Sequence, residues 1–202
     1  MTRVVAGVAR GRRLAVPPGN GTRPTSDRAR EALFSTLTSM VGAWAGRRVL
    51  DLYAGSGAVG LEALSRGADH CLLVESDPRA LRTLRANIET VGLPGAASHG
   101  GRVERLVSGA PPGPAYDVVF LDPPYDLGAD TLGEVLTLLV EQGWLAARAV
   151  VALERASRDA PWKWPVGLVA ERSRRYGEAT LWYGRAAGPG VVGRAPVEST
   201  GV

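Results

Sequence analysis

Between Arg48 and Leu153, short apolar runs alternate with segments of helical period, and this alternation constrains the fold more than any other feature. Val49–Leu52, Cys71–Val74, Val118–Leu121 and Ala149–Leu153 have the length and character of strands buried on both faces. Between them, Leu61, Ala63 and Leu64, then Leu81, Leu84 and Ile88, then Leu132, Val135, Leu136, Leu139 and Val140 recur at helical spacings. Pro78 stands where the first turn of a helix tolerates proline, and Gly67 and Gly92 stand where helices stop. Such repetition predicts an α/β fold: a mainly parallel sheet covered by helices on both faces. In sheets of this kind ligands bind beyond the carboxyl ends of the strands, where strand order reverses.

The flanks read differently. Residues 3–16 predict two short strands around Gly11, carrying Val4 and Val5, then Leu14 and Val16. Pro17–Gly21 breaks regular structure, after which Thr25 or Ser26 can cap a helix through Ala29, Leu33, Phe34 and Leu37. Residues 94–114, rich in Gly, Pro and Ala, offer only a short helix around Val103, Leu106 and Val107. Residues 166–185 predict a terminal hairpin turning at Tyr176–Glu178. The expected division is a basic hairpin extension over 1–22, one main domain over 23–187, and a Gly/Pro/Val-rich tail over 188–202 expected to be disordered.

With 202 residues, the chain can bury one real core but is short for two. No stretch reaches the roughly 18 to 20 apolar residues of a membrane span, and the N-terminus lacks the apolar segment of a secretory signal. A single cysteine, Cys71, can build neither a disulfide framework nor a cysteine zinc site, and it reads as a core thiol. A cytoplasmic monomer is expected. His70 and His99 have no partner at ligand spacing, so no metal is expected. The net charge is +4, and Lys163 is the only lysine among 24 basic residues. Arg3, Arg10, Arg12, Arg13, Arg23, Arg28 and Arg30 crowd the start of the chain, and Arg172, Arg174 and Arg175 form a second group. Guanidinium groups clustered in this way suit phosphate, so a nucleic acid is a plausible partner. Trp162 and Trp164 are expected to pack on the sheet rather than stack on bases.

Two strand ends carry chemistry. After Val49–Leu52 comes Tyr53-Ala54-Gly55-Ser56-Gly57-Ala58-Val59-Gly60, a glycine turn that lets backbone approach a ligand. Taken alone, the glycine spacing also fits a dinucleotide site. Asp51, just before the glycines, would repel a pyrophosphate but suits the ammonium of a methionyl cofactor. Glu75, twenty positions beyond Gly55, can accept both ribose hydroxyls. S-adenosylmethionine is therefore the expected cofactor, held by Asp51, Tyr53, Ala54, Gly55, Gly57, Glu75 and Ser76, with a nicotinamide cofactor as the competing reading. An acidic residue to meet the adenine is not evident in His99–Val103.

The second strand end is Asp122-Pro123-Pro124-Tyr125, directly after Val118–Leu121. An aromatic amine is a poor nucleophile because its lone pair is delocalised. Acceptors on Asp122 and the Pro123 carbonyl can hold its two hydrogens and aim the lone pair at a methyl donor. The two prolines stiffen the turn. Tyr125 offers a face on which a flipped-out base can stack. The catalytic candidates are thus Asp122, Pro123, Pro124 and Tyr125. Three readings stay open: an RNA base methyltransferase, an amine methyltransferase acting on DNA adenine or a protein glutamine, and a silent RNA-binding module of the same fold.

Asp51–Gly67 together with Asp122–Tyr125 resembles the RsmD family of bacterial 16S rRNA (guanine-N2)-methyltransferases. Gly21-Thr22-Arg23-Pro24-Thr25-Ser26-Asp27-Arg28-Ala29-Arg30-Glu31 is similar to that family's opening, and the likeness runs over about residues 3 to 185. The resemblance implies a Rossmann-like class I methyltransferase fold with a seven-stranded sheet and an N-terminal hairpin. It implies N2-methylation of a guanine in 16S rRNA, within the 30S subunit or an assembly intermediate. Arg10, Arg12, Arg13, Arg23 and Thr25 are the candidate RNA contacts.

Overall fold

The computed structural model describes residues 2–17 and 27–188. In chain order, β1 (Thr2–Arg3) and β2 (Arg13–Leu14) precede α1 (Asp27–Val41), β3 (Arg48–Leu52), α2 (Ala58–Ser65), β4 (His70–Glu75) and α3 (Pro78–Val91). Then come β5 (Ala96–Gly100), α4 (Val103–Val107), β6 (Tyr116–Leu121), α5 (Ala129–Glu141), β7 (Leu145–Ala156), β8 (Leu168–Tyr176) and β9 (Ala179–Ala186). The seven-stranded sheet has the order β5-β4-β3-β6-β7-β9-β8. Its first five strands are parallel, and β9 runs antiparallel to both β7 and β8. Strand β3 pairs with β4 on one side and β6 on the other, so strand order reverses between β3 and β6. The expected α/β architecture, its seven-stranded sheet and its small antiparallel N-terminal pair are all present.

The alternation of side chains along each strand divides the core in two. On one face Val49, Val118, Phe120, Val150 and Ala152 meet Leu33, Phe34 and Leu37 of α1, Leu61 and Leu64 of α2, and Leu84 of α3. On the other, Leu50, Leu52, Val119, Leu121, Val151 and Leu153 meet Val103 and Val107 of α4 and Leu132, Val135, Leu136 and Leu139 of α5. Each such buried aliphatic side chain contributes roughly 1.5–3 kcal/mol against exposure. Trp162 and Trp164 pack against the second face, and Cys71 is a buried thiol of the first. Helix α3 starts where its sequence dictates: Asp77 Oδ1 accepts from the amides of Arg79 (2.9 Å) and Ala80 (2.8 Å), with Pro78 following.

A buried carboxylate pins the N-terminal pair to the domain. Glu62 of α2 accepts from the amides of Val5 (2.6 Å) and Ala6 (2.9 Å) and pairs with Arg66 at 2.8 Å. Ser65 Oγ accepts from Ala9 N at 2.9 Å and donates to Ala6 O at 2.6 Å. Gly7 is required here, because a Cβ on it would lie 1.8 Å from the Ser65 carbonyl oxygen.

Five sequence expectations need revision or fall elsewhere. The first two strands are Thr2–Arg3 and Arg13–Leu14 rather than runs centred on Val4, Val5, Leu14 and Val16. Residues 96–100 form β5, an element the composition of 94–114 concealed. Arg30 is no part of a basic surface: it is 0% exposed and donates to the Arg3 carbonyl, Thr2 Oγ1 and Asp27. The helix cap expected at Thr25 or Ser26 and the tail beyond Gly188 lie outside the described residues.

Candidate active site

Leu52 and Leu121 are register partners at the carboxyl ends of β3 and β6, so the two chemically interesting turns leave the sheet side by side at the switch point. The first turn is shaped by its backbone. Tyr53 has φ 62° and Gly55 φ 54°, and the Ala54 amide donates to the Val74 carbonyl at 2.9 Å, which ties the turn to β4. A Cβ on Gly55 would meet nothing within 4 Å, so this glycine faces open space. Gly57 and Gly60 are also required by packing. Cβ atoms there would lie 2.3 Å from Leu84 Cδ1 and 2.6 Å from Cys71 Sγ, so these glycines let α2 sit against α3 and β4.

Asp51 lies beneath that turn, 1% exposed, and its Oδ2 accepts from Gly60 N at 2.8 Å. Gly57, the residue before α2, offers no side-chain cap, and Asp51 supplies one from the neighbouring strand by binding an orphan amide of the first turn. Burial, reinforced by the charge of Glu75, pushes its carboxyl up to about 7, against the opposing Gly60 hydrogen bond. Glu75 closes the turn from the other side: its Oε2 accepts from Gly55 N at 2.8 Å and its Oε1 from Asp77 N at 2.7 Å. Ser76 is exposed beside it. The Tyr53 hydroxyl donates to Glu104 Oε1 at 3.2 Å, bridging the turn to α4, and burial pushes that phenol's pKa upward. Glu104 was not singled out from the sequence. It lies just beyond the window in which an acidic residue was sought, on the segment that follows β5.

In the second turn Pro123 is buried, while Pro124 is exposed and Tyr125 is 60% exposed. Asp122 is half-buried. Burial, then the neighbouring charges of Glu154 and Asp51, hold its carboxyl well above the usual carboxylate range. Glu154, near the end of β7 two residues before Ala156, is itself raised by burial. Sequence reading missed it because that strand seemed to end at Leu153; only the register with β6 brings it into the site.

The structure thus brings Asp51, Tyr53, Ala54, Gly55, Glu75 and Asp122 to the same end of the sheet. It does not bring Arg10 and Arg12 there. Arg10 lies in the hairpin loop beside Ser65, and the Arg12 guanidinium donates to the carbonyls of Val91 and Thr90, capping the C-terminal end of α3. Arg13 is exposed on β2. Arg23 and Thr25 lie outside the described residues. Among the described residues no group of acidic, histidine or cysteine side chains is placed to hold a metal, and no helix is long and apolar enough to cross a membrane.

Comparison with known proteins gives this arrangement a lineage. The family model described as Conserved hypothetical protein 95 matches residues 2–185. The chain is 39% identical over 152 residues to the Ribosomal RNA small subunit methyltransferase D of Escherichia coli (strain K12), covering 75% of this chain and 73% of that protein. It is 37% identical over 179 residues to YlbH of Bacillus subtilis (strain 168), covering 87% and 94% respectively. Among solved structures, yhhF from Escherichia coli superposes with a TM-score of 0.79 at 31% identity, over 92% of this chain and 97% of that one. The rRNA methyltransferase aviRa from Streptomyces viridochromogenes shares the fold, with a TM-score of 0.64 at 18% identity over 83% of this chain and 88% of that one. The chain belongs to the Conserved hypothetical protein 95 family, the RsmD family of methyltransferases.

Proposed function

We propose that this chain methylates the N2 amine of a guanine in 16S rRNA, using S-adenosylmethionine, with the small ribosomal subunit or an assembly intermediate as the substrate particle. The observation that carries the reading is the pairing of two strand ends: the glycine turn after β3 stands beside the Asp122–Tyr125 turn after β6, held by the Leu52–Leu121 register. The names of the curated relatives, small-subunit rRNA methyltransferases among them, support a small-subunit rRNA as the acceptor molecule.

The residues at the first turn fit the methyl donor. Gly55 leaves open space where any side chain would intrude, and Glu75 stands at its rim with both oxygens retaining acceptor capacity for ribose hydroxyls. Asp51 has one oxygen committed to Gly60, leaving the other for the donor's ammonium. Tyr53, Ala54, Gly57 and Ser76 complete this part of the site, and the Tyr53–Glu104 pair borders it toward α4. When bound, S-adenosylmethionine supplies a methyl group on a sulfonium, which needs no metal activation.

At the second turn, Asp122 and the Pro123 carbonyl each accept one hydrogen of the guanine amine, turning the nitrogen lone pair toward the methyl group. Positioning of this kind supplies most of the rate advantage in a displacement. Tyr125, exposed at the rim, stacks on the extruded base. As the nitrogen–carbon bond forms and the sulfur–carbon bond breaks, the amine becomes acidic and gives up one proton. Asp122 is suited to take it, because burial and the charge of Glu154 raise its proton affinity. Arg10 and Arg13, both exposed, would contact phosphates of a large RNA particle.

The test is incubation of the protein with radiolabelled methyl donor and small subunits lacking the modification, followed by nucleoside mass analysis. Naked rRNA, DNA and translation-factor protein serve as parallel acceptors. N2-methylguanosine from the subunits is the expected product. N6-methyladenine in DNA or methylated glutamine would replace this reading.

A further inference from the structure

We propose that Glu154 reads the ring N1–H of the target guanine beside the amine held by Asp122, and so sets the choice of guanine over bases that carry no ring N–H beside their amine. This deepens the guanine-N2 reading and rests on it. Strands β6 and β7 run parallel with Leu121 opposite Leu153, so Asp122, directly after β6, stands beside Glu154 of β7. Val118, Phe120, Val150 and Ala152 share one face of the sheet. By alternation Asp122 and Glu154 project to that face, as Asp51 does. Neighbouring strands lie about 4.8 Å apart, so the two carboxyl groups leave the sheet as a close pair.

Among the described residues, neither carboxylate accepts a hydrogen bond or pairs with a cation. Two half-buried acids left side by side repel each other unless something satisfies them. Burial and mutual repulsion accordingly raise the proton affinity of Asp122, and burial raises that of Glu154. A site that tolerates this strain awaits a partner with adjacent donors.

Guanine presents such a partner. Its Watson–Crick edge carries N1–H next to the N2 amine, a row of donors that two acceptors can bind together. Adenine and cytosine each place a ring nitrogen lone pair beside the exocyclic amine. A carboxylate at the Glu154 position would face that lone pair and repel it. The second acid thus explains how one amine-binding turn, serviceable for several bases, is restricted to guanine. Sites built to bind a substrate N–H reject analogues lacking it far more strongly than apolar pockets reject a missing methyl.

The test uses small-subunit particles reconstituted with rRNA carrying guanine or 2-aminopurine at the modified position. 2-Aminopurine keeps the amine but has an acceptor at N1. Wild-type protein should prefer guanine in kcat/KM, and Glu154→Gln, whose amide can donate to N1, should shrink that preference by about tenfold or more. The same variant should shift the acid limb of the rate profile to lower pH, because it removes the charge that raises Asp122. Calorimetry with S-adenosylmethionine checks that the variant is folded and binds its donor. A preference and an acid limb both unchanged in a donor-binding variant would overturn the role of Glu154 alone. Absence of N2-methylguanosine even from wild-type protein on guanine particles would instead remove the guanine reading, and this inference with it.

Discussion

Lowering the pH from about 7 to about 5.5 should weaken S-adenosylmethionine binding about sixteenfold, and Asp51→Asn should abolish that dependence. Asp51 is 1% exposed, and burial aided by Glu75 raises its carboxyl to about 7 in the ligand-free protein. An ammonium bound beside it favours the ionised form, so the complex keeps Asp51 ionised across this range. Below pH 7 the free protein therefore holds a proton that binding must expel, and affinity falls as pH falls. The ionised fraction of the free protein drops from about one half at pH 7 to about 3% at pH 5.5, which sets the sixteenfold ratio. Isothermal calorimetry in two buffers of different ionisation enthalpy measures both the affinity and the protons released. The variant should bind more weakly at pH 7 but with a flat profile. A flat profile in the wild-type protein, or an undiminished slope in Asp51→Asn, would refute the placement of the ammonium at Asp51.

Asp122→Ala should lower methyl transfer by about 10²–10⁴-fold while leaving donor affinity nearly unchanged, as read by single-turnover kinetics beside calorimetry; lost donor binding would reassign that turn to structure. Glu62→Ala should destabilise the fold by about 3–5 kcal/mol in urea unfolding, because it leaves the amides of Val5 and Ala6 without their acceptor and takes the buried counter-charge from Arg66. A change below about 1 kcal/mol would mean that the N-terminal pair is held by something else. Gly57→Ala should also destabilise, by about 1–3 kcal/mol, since its φ of 78° disfavours a side chain and the new Cβ would press on Leu84; an unaltered melting temperature would contradict that packing. Replacing Arg10 and Arg13 by Ala should make RNA binding less salt-dependent, the logarithmic slope falling by up to about 2, and an identical slope would exclude both from the interface.

The parallel sheet was legible because runs such as Val118–Leu121 are too apolar and too short for anything but a doubly covered strand. Strand β5 was not, because Ala96-Ala97-Ser98-His99-Gly100 has neither alternation nor β-branched residues; it is a strand because β4 offers it a ladder. The glycine turn and the Asp122–Tyr125 turn could each be read locally, since their chemistry lies in consecutive residues. Glu154 and Glu104 could not, because each depends on register or on a loop crossing that no local spacing encodes. Charge misled in the opposite way. Arg30 and Arg12 count toward a basic N-terminus in the sequence, yet one is buried against Asp27 and Thr2 and the other caps α3. The same composition serves phosphate binding and backbone satisfaction, and only packing separates the two.

A crystal structure of the protein with S-adenosylhomocysteine bound would probe the shared cavity directly. The ribose hydroxyls should lie on Glu75, the amino group on Asp51, and the sulfur should point at the space before Asp122 and Pro123. A product molecule lodged elsewhere, or one whose sulfur faces away from the Asp122–Tyr125 turn, would contradict the account.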